Sequence, residues 1–284
     1  MSNINASMEV SAKHVLDGKL FAGLLPAGTR VYITDVGVDP FADIISASRK
    51  ISDMGYACVP HVPARRIESK EALNARLSGL ANEAGVRDIL IIAGEADRQM
   101  GPYSQTLDVL QTGLIEANGI THIGVGGHPE GNAAYGSQEP TAVLRTKVEA
   151  ARATGADVRI VTQFGFDGPA FVKWAKDIAA AGIDAPVHLG VAGPAKVTTL
   201  IKYAAMCGVG NSLNFFRKRT SAIAALATKH SPEDVVGPIE QAWRDGTGHI
   251  EQLHVFPFGG LKGSAEWLVD RGSYPAQMDR MATA

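Results

Sequence analysis

The sequence has little cysteine, no concentrated charge and no long apolar run. Two of its 284 residues are cysteines, Cys58 and Cys207, and neither has a partner in a CxxC motif. A structural zinc site is therefore not expected, and both thiols are predicted to be buried and reduced. The formal net charge of −2 at pH 7 gives no reason to expect a nucleic-acid partner or an anionic membrane surface, since both favour concentrated Lys and Arg.

Targeting and membrane-spanning signals are also missing. The first residues, MSNINASMEVSAKH, contain no apolar core of a signal peptide. No apolar run approaches the roughly 20 residues that a bilayer-crossing helix requires. These absences predict a cytoplasmic protein with neither nucleic acid nor membrane among its partners.

Eight short apolar segments with strand character recur along the chain. They lie at residues 4–10, 30–37, 56–62, 88–94, 121–127, 157–164, 186–193 and 250–259. Helix-like segments separate them, and several of these end near a glycine, as helices often do. No GxGxxG follows the first segment and no GxxxxGK[ST] occurs, which disfavours a doubly wound nucleotide-binding sheet. The alternation favours a (β/α)8 TIM barrel.

The region from 211 to 246 is longer than one helix, so we predict an extra helical segment before the last strand. No linker rich in Pro, Gly or Ser divides the chain. Residues 1–284 are accordingly predicted to form a single TIM-barrel domain.

Polar residues gather where the predicted strands end. They are the acids Glu9, Glu95, Asp97 and Glu130, the imidazoles of His61 and His128, and the amide of Gln163. Active sites of TIM barrels lie at the carboxyl ends of the strands, so these groups are expected to share one rim. They match neither HExxH nor any tight ligand spacing, and no metal site is predicted.

Glu9 stands out because it lies inside a strand rather than beyond one. A closed barrel has no edge strand, and helices cover its outer face. A buried acid is costly unless it is partnered or reaches the barrel mouth. The glycines of GVAGP and PFGGL, after strands seven and eight, leave two readings open, a phosphate cradle or simple turns.

At these positions the sequence resembles the methylenetetrahydrofolate reductase family, in its short, single-domain bacterial form. The matching segments are SMEVSAK, CVPHVPAR, IAGEADRQMGPY, GVGGHPEGN, VTQFGFD and HVFPFGGL, in the order of the family. They cover nearly the whole chain, and TQF followed by FD after the sixth strand is the most specific of them.

The resemblance implies roles for individual residues. Glu9 is similar to the catalytic glutamate of the family, and Gln163 with Phe164 to its folate-contacting pair. Glu95 and His128 fall at substrate-binding positions. The cofactor-side positions are occupied by His61, Gly94 and Lys147, the last resembling a lysine that reaches the flavin phosphate.

Departures from the family pattern concentrate on the flavin side. Glu95 replaces an aspartate, Ala93 stands where several members carry Arg, and His128 stands where many have Tyr. The resemblance thus implies a folate substrate, methylenetetrahydrofolate, more firmly than it implies FAD. NAD(P)H, with NADH favoured, is the expected reductant, and hydride could pass through FAD or directly.

The expected reaction reduces 5,10-methylenetetrahydrofolate to 5-methyltetrahydrofolate, the methyl donor of methionine biosynthesis. Two alternatives stay open, a TIM-barrel lyase or isomerase of a phosphorylated small molecule, and a folate-binding barrel without catalysis. A homo-oligomer is compatible with the sequence. In the expected reaction Glu9 is the general acid, because a carboxyl group in a partly apolar mouth can hold a proton near neutrality.

Overall fold

The computed structural model describes residues 3–94, 99–131, 136–207, 209 and 229–276. Its main strands are β1 (Ala6–Ser11), β2 (Arg30–Thr34), β3 (Ala57–Pro63), β4 (Asp88–Ile92), β5 (His122–Gly127), β6 (Asp157–Gly165), β7 (Val187–Ala192) and, after two short strands, β10 (Ile250–Phe256). All eight run parallel and close into a barrel, in the spatial order β1-β10-β7-β6-β5-β4-β3-β2. Each overlaps one predicted segment, and the (β/α)8 prediction is confirmed.

Helices alternate with these strands. They are α1 (Ala12–Leu16), α2 (Phe41–Asp53), α3 (Lys70–Ser78), α4 (Thr106–Leu110), α5 (Leu114–Ala117), α6 (Pro140–Ala153), α7 (Gly168–Ala180), α8 (Val197–Met206), α9 (Glu233–Arg244) and α10 (Leu261–Asp270). A 3-10 turn (Ala64–Arg66) follows β3, and a π-helical turn (Gly79–Glu83) extends α3. Within the described ranges, no helix has both the length and the apolar character needed to cross a bilayer.

The connection between β7 and β10 carries more than one helix. It contains α8, a short antiparallel ladder of β8 (Ala195–Lys196) with β9 (Lys229–His230), and then α9. The predicted extra helical segment is confirmed by α9, which packs against α7 and β10. Residues 211–228 of that prediction lie outside the described residues.

The barrel interior differs from its outer layer. Residues that point out of the strands, such as Met8, Ile33 and Ile91, are fully buried against the helices, as expected of a parallel barrel. Barrel interiors are usually filled by branched apolar side chains. Here the interior also holds buried polar groups, namely Ser7, Glu9, His61, Arg159, His188, Gln252 and His254.

Helix α6 shows how the sequence positions a site residue. Its start is set by Glu139, whose side chain accepts hydrogen bonds from Thr141 N and Ala142 N, and by Pro140 in the first turn. The buried face repeats at Leu144, Lys147, Val148 and Ala151, which is helical spacing. Lys147 therefore lies on the apolar face, and its amine extends toward the carboxyl end of β5.

Candidate active site

The barrel mouth holds a carboxylate between two imidazoles. Glu9 projects from β1 into the barrel and is only 9% exposed. Its Oε1 atom is 3.3 Å from His254 Nε2 on β10 and 3.4 Å from His61 Nε2 on β3. The fold thus brings together Glu9 and His61, both predicted, and adds His254, which sequence reasoning did not single out.

A serine fixes the second nitrogen of His254. Ser7, directly opposite His254 in the β1–β10 register, has its Oγ 2.9 Å from His254 Nδ1 and 3.3 Å from the carbonyl oxygen of Leu253. A neutral imidazole has one donor and one acceptor nitrogen. The direction of the Ser7 hydroxyl therefore decides whether His254 presents a donor or an acceptor to Glu9, so His254 can match either protonation state of the carboxyl group.

His61 supports the carboxylate without a well-aligned hydrogen bond. Its Nε2 is buried, and the 3.4 Å approach to Glu9 Oε1 does not have hydrogen-bond geometry. Burial lowers the pKa of His61 below its ordinary value, and the nearby Glu9 charge only partly opposes this. His61 is therefore neutral at pH 7 and adds no full charge to the site.

The three side chains do not form a recognisable metal site. Both imidazole nitrogens approach the same oxygen, Oε1 of Glu9, rather than a shared central point. Across the part of the chain that the structure describes, no group of three or more His, Cys, Asp or Glu residues is arranged to hold a metal ion.

Gln163 lies at a bulge near the end of β6. The β6–β7 register shifts between Val161 and Phe164, and such bulges commonly re-aim a side chain beside an active site. The Gln163 Oε1 atom accepts a hydrogen bond from Phe164 N at 3.1 Å. The carboxamide is thus oriented by its own strand, which leaves the NH2 group to serve as a donor; its role in folate binding stays a prediction.

Phe164 is enclosed in a cluster of aromatic rings. It is 1% exposed and packs with Phe166, Phe256 and Phe258, at ring-centroid distances of 5.8, 5.2 and 4.8 Å. Phe258 in turn stacks on Tyr203 of α8 at 4.2 Å. Phe164 therefore anchors an aromatic cluster beneath the β7 and β10 loops, and its predicted folate contact is not tested by this placement.

His128 and Lys147 meet at the end of β5. The Lys147 amine donates to the carbonyl oxygen of Gly126, and burial lowers its pKa to about 8. Burial, together with Lys147, lowers the pKa of His128 to about 4. His128 lies at the rim end of β5, and Lys147 is largely buried beside it; the predicted roles of both residues stay predictions.

The remaining predicted residues follow β4. Gly94 adopts φ +84°, a conformation that favours glycine, and an added Cβ would come within 3.0 Å of the Pro63 side chain. Its carbonyl accepts a hydrogen bond from Arg65 Nη1. Glu95, predicted to contact the pterin, lies outside the described residues, so its role and that of Gly94 stay predictions.

The glycines after β7 and β10 have a packing explanation. A Cβ on Gly193 would lie 2.4 Å from Ser264 Oγ, and one on Gly259 would lie 2.0 Å from the Pro194 carbonyl oxygen. These glycines allow the two loops to pass close to neighbouring atoms. Their presence therefore does not require a phosphate ligand.

A further buried histidine, His188, is expected to make the stability of the fold sensitive to acid. His188, at the amino-terminal end of β7, is completely buried, and burial lowers its pKa to about 3. The His188 imidazole binds a proton near pH 6.5 in the unfolded chain but stays neutral at that pH in the folded state. The free energy of unfolding should therefore fall as the pH drops below 6.5. We expect a loss of about 2 kcal/mol from this residue between pH 6.5 and pH 5.

Urea denaturation of the wild type and of the His188→Gln variant at both pH values measures this loss. The variant should show a shallower decline, whereas His122→Gln, which removes a half-exposed imidazole, serves as the control. An equal decline in wild type and His188→Gln would refute the contribution of His188.

The fold, the position of the candidate site and a comparison with known protein families identify the class of protein and its family. A closed parallel barrel with its polar groups at the carboxyl ends of the strands is a (β/α)8-barrel protein with its candidate site at the usual end. The model of the family described as methylenetetrahydrofolate reductase matches residues 43–220, more than half of the chain. The chain belongs to the methylenetetrahydrofolate reductase family.

Solved structures of similar shape agree on the fold. An uncharacterized protein from Clostridium thermocellum, which binds two copies of 5-methyl-5,6,7,8-tetrahydrofolic acid, has a TM-score of 0.63 at 9% identity, covering 96% of this chain and 94% of that one. A GH128 (subgroup II) endo-β-1,3-glucanase from Sorangium cellulosum has a TM-score of 0.51 at 12% identity, covering 96% and 95%. At such identities these likenesses show the barrel architecture alone.

The described residues fit a flavin poorly. His61 faces Glu9 from the barrel interior, and the Lys147 amine is bound to a backbone carbonyl. A flavin phosphate would have to reach a buried amine that already donates to a backbone carbonyl and whose pKa is lowered by burial. The two side chains that the resemblance assigned to FAD, those of His61 and Lys147, are thus buried against protein atoms.

Proposed function

We propose that this protein is a methylenetetrahydrofolate reductase that reduces 5,10-methylenetetrahydrofolate to 5-methyltetrahydrofolate with hydride from NADH. The observation that carries the proposal is the Glu9 carboxyl group held by His254 and His61 at the barrel mouth. Membership of the family and the folate bound by the Clostridium thermocellum neighbour support the same substrate.

The chemistry explains why a carboxyl group is needed. The methylene carbon bridges N5 and N10 of the folate, and it accepts hydride only after the bond to N10 breaks. Glu9 gives its proton to N10, the carbon–N10 bond breaks, and an iminium forms at N5; hydride from NADH then adds to its carbon. Positioned proton donors of this kind contribute roughly 10²- to 10⁴-fold to a rate.

His254 suits both states of Glu9 during this cycle. When Glu9 carries the proton, it can donate to Nε2 while the Nδ1 hydrogen binds Ser7, whose hydroxyl binds Leu253 O. When Glu9 is ionised, Nε2–H can donate to the carboxylate and Ser7 can donate to Nδ1. Each protonation state therefore has a satisfied hydrogen-bond network, and solvent restores the proton between turnovers.

Gln163 is assigned to the polar edge of the pterin, where a carboxamide supplies both a donor and acceptors. The Gln163→Ala variant should weaken folate binding about tenfold and change kcat little, because a ring-edge group loses its partner. Calorimetric titration with 5-methyltetrahydrofolate measures this. The conservative Gln163→Glu variant is the matched control, since it keeps an acceptor and loses the donor. If the folate affinity of Gln163→Ala is unchanged, Gln163 has only a structural role.

No step of the proposed reaction is assigned to a flavin, and hydride passes directly from NADH. The test is NADH oxidation by the purified protein with methylenetetrahydrofolate, with and without added FAD. The proposal expects turnover that depends on folate and is unchanged by FAD. Turnover that requires added FAD would overturn the direct route, and no turnover in either case would overturn the proposed activity.

A second candidate is a folate-binding barrel without reductase activity. It is favoured by the shape of the neighbour that binds 5-methyl-5,6,7,8-tetrahydrofolic acid and by the loss of the flavin-side pattern. It predicts tight folate binding together with no NADH oxidation. The buried Glu9, with two imidazoles around one oxygen, argues for the reductase because binding alone does not need a proton donor.

A further inference from the structure

A buried tyrosine lies beside the Glu9 site, opposite Glu9 in the β1–β2 register. Tyr32 on β2 is completely buried, and its ring meets the His254 ring edge-on, with centroids 4.5 Å apart and planes at 64°. The His61 ring lies 6.3 Å away at 76°. Aromatic rings favour such edge-to-face contacts over face-to-face stacking. Tyr32 thus touches both imidazoles that flank the carboxylate.

The hydroxyl of Tyr32 is held from below by an ion pair. Arg159 Nε on β6 donates to the Tyr32 oxygen at 2.8 Å, and Arg159 Nη2 lies 2.8 Å from Asp88 Oδ1 on β4. Both charged side chains are largely buried, with exposures of 6% and 16%. Buried ion pairs seldom stabilise a fold more than apolar side chains of similar volume would, so stability alone does not explain this pair.

Apolar neighbours hold the ring from the sides. Val59, Leu90 and Val161 pack around Tyr32 in one small cluster at the centre of the barrel. Gly124 makes room beside them, because a Cβ there would lie 2.9 Å from the Leu90 side chain and 3.6 Å from Arg159 Nη2. The ring is therefore confined by packing, and its hydroxyl is confined by Arg159.

We propose that Tyr32 is a positioning residue, which keeps the His254 and His61 rings turned so that both Nε2 atoms face Glu9 Oε1. The Arg159–Asp88 pair holds the Tyr32 hydroxyl and so fixes the height and tilt of its ring. The catalytic consequence rests on the proposed function, but the geometric claim concerns the free protein. Tyr32 touches no reacting atom, and it acts through the two histidines.

The test compares Tyr32→Phe and Tyr32→Leu with Ile33→Ala, which truncates a fully buried residue on the same strand that points out of the barrel. Nitrogen-15 NMR of histidine side chains, with signals assigned by the loss of one set in His254→Gln, reports the His254 tautomer in the free protein. Both Tyr32 variants should change the tautomer ratio at least threefold. Turnover should fall about fivefold in Tyr32→Phe and about 50-fold in Tyr32→Leu, with the affinity for 5-methyltetrahydrofolate unchanged.

Ile33→Ala should lower stability but keep the wild-type tautomer ratio and turnover, because Ile33 packs on the outer side of the strand. Wild-type histidine spectra and turnover in Tyr32→Leu would overturn the proposal; if that variant does not fold, the same result in Tyr32→Phe overturns it. A change of equal size in Ile33→Ala would also overturn it, because general loosening of the core would then explain the effect. If the wild type oxidises no NADH, the proposed function fails while the histidine spectra still decide the role of Tyr32.

Discussion

The Glu9→Gln variant is expected to lose about 10³-fold in turnover while binding folate with nearly unchanged affinity. The amide is close in shape to the carboxyl group and can still hydrogen-bond His254, whose Nε2 lies 3.3 Å from Oε1 in the wild type. It cannot deliver a proton to N10, and a loss of this size matches the contribution of a positioned general acid. Steady-state assays of NADH oxidation measure turnover, and calorimetric titration measures the affinity for folate.

A matched control exists in the same barrel. Glu251 on β10 also faces an imidazole, with Oε1 3.4 Å from His188 Nε2, but it lies at the opposite end of the strand. Glu251→Gln should therefore retain turnover. Near-normal turnover in Glu9→Gln would remove Glu9 from the mechanism, and an equal loss in Glu251→Gln would point to a structural effect.

The Asp88→Ala variant should be the most destabilising of the substitutions considered, by about 3 kcal/mol in the free energy of unfolding. Removal of the acid leaves the buried Arg159 guanidinium without its ion-pair partner, and an uncompensated buried charge is costly. Arg30, whose Nε lies 3.7 Å from Asp88 Oδ2, would lose a partner as well. Urea denaturation at pH 7 measures the change.

The double variant Asp88→Leu with Arg159→Met is the informative comparison. With both charges replaced by apolar groups, the penalty should shrink to about 2 kcal/mol, because no charge is left buried and the remaining cost is that of the Tyr32 hydroxyl without its Arg159 donor. A double variant that is as unstable as Asp88→Ala would show that shape rather than charge is responsible. If the free energy of unfolding of Asp88→Ala is within about 0.5 kcal/mol of the wild-type value, the ion pair does not contribute to stability, since ordinary surface changes fall in this range.

The barrel could be predicted because its signal is local. Each strand is a short apolar segment, and each is followed by a helix of regular period, as in α6 with Leu144, Val148 and Ala151. Strand ends were less predictable. β2 ends at Thr34 rather than at residue 37. The Asp35 side chain accepts a hydrogen bond from Gly37 N, which starts a turn, and Arg76 forms an ion pair with the same carboxylate.

Residues of the candidate site could be predicted only where a single residue was unusual for its own position in the sequence. Glu9 was identifiable because an acid inside a barrel strand is unusual, and His61 because it ends a strand. His254 and Ser7 were not singled out, since their contacts with each other and with Glu9 join β1 to β10 across about 245 positions of sequence. Side chains alternate between the two faces of β10, so this alternation, combined with the closed barrel, would have placed the His254 side chain in the barrel interior.

Burial was the other property that the sequence did not reveal. The sequence did not show that Phe164 packs against Phe256 and Phe258, and its predicted folate contact stays a prediction. Lys147 reads as a cation for a phosphate, yet helical spacing puts it on the apolar face of α6. Both outcomes depend on how distant elements pack, which a local pattern does not contain.

The most direct test of the central claim follows a labelled hydride. NADH carrying deuterium at the transferred position of its nicotinamide is incubated with methylenetetrahydrofolate and protein freed of flavin, and the folate product is analysed by mass spectrometry. The account predicts 5-methyltetrahydrofolate with one deuterium in its methyl group, formed by the wild type and not by Glu9→Gln. Absence of the methyl product, or its formation at equal rates by both proteins, would contradict the account.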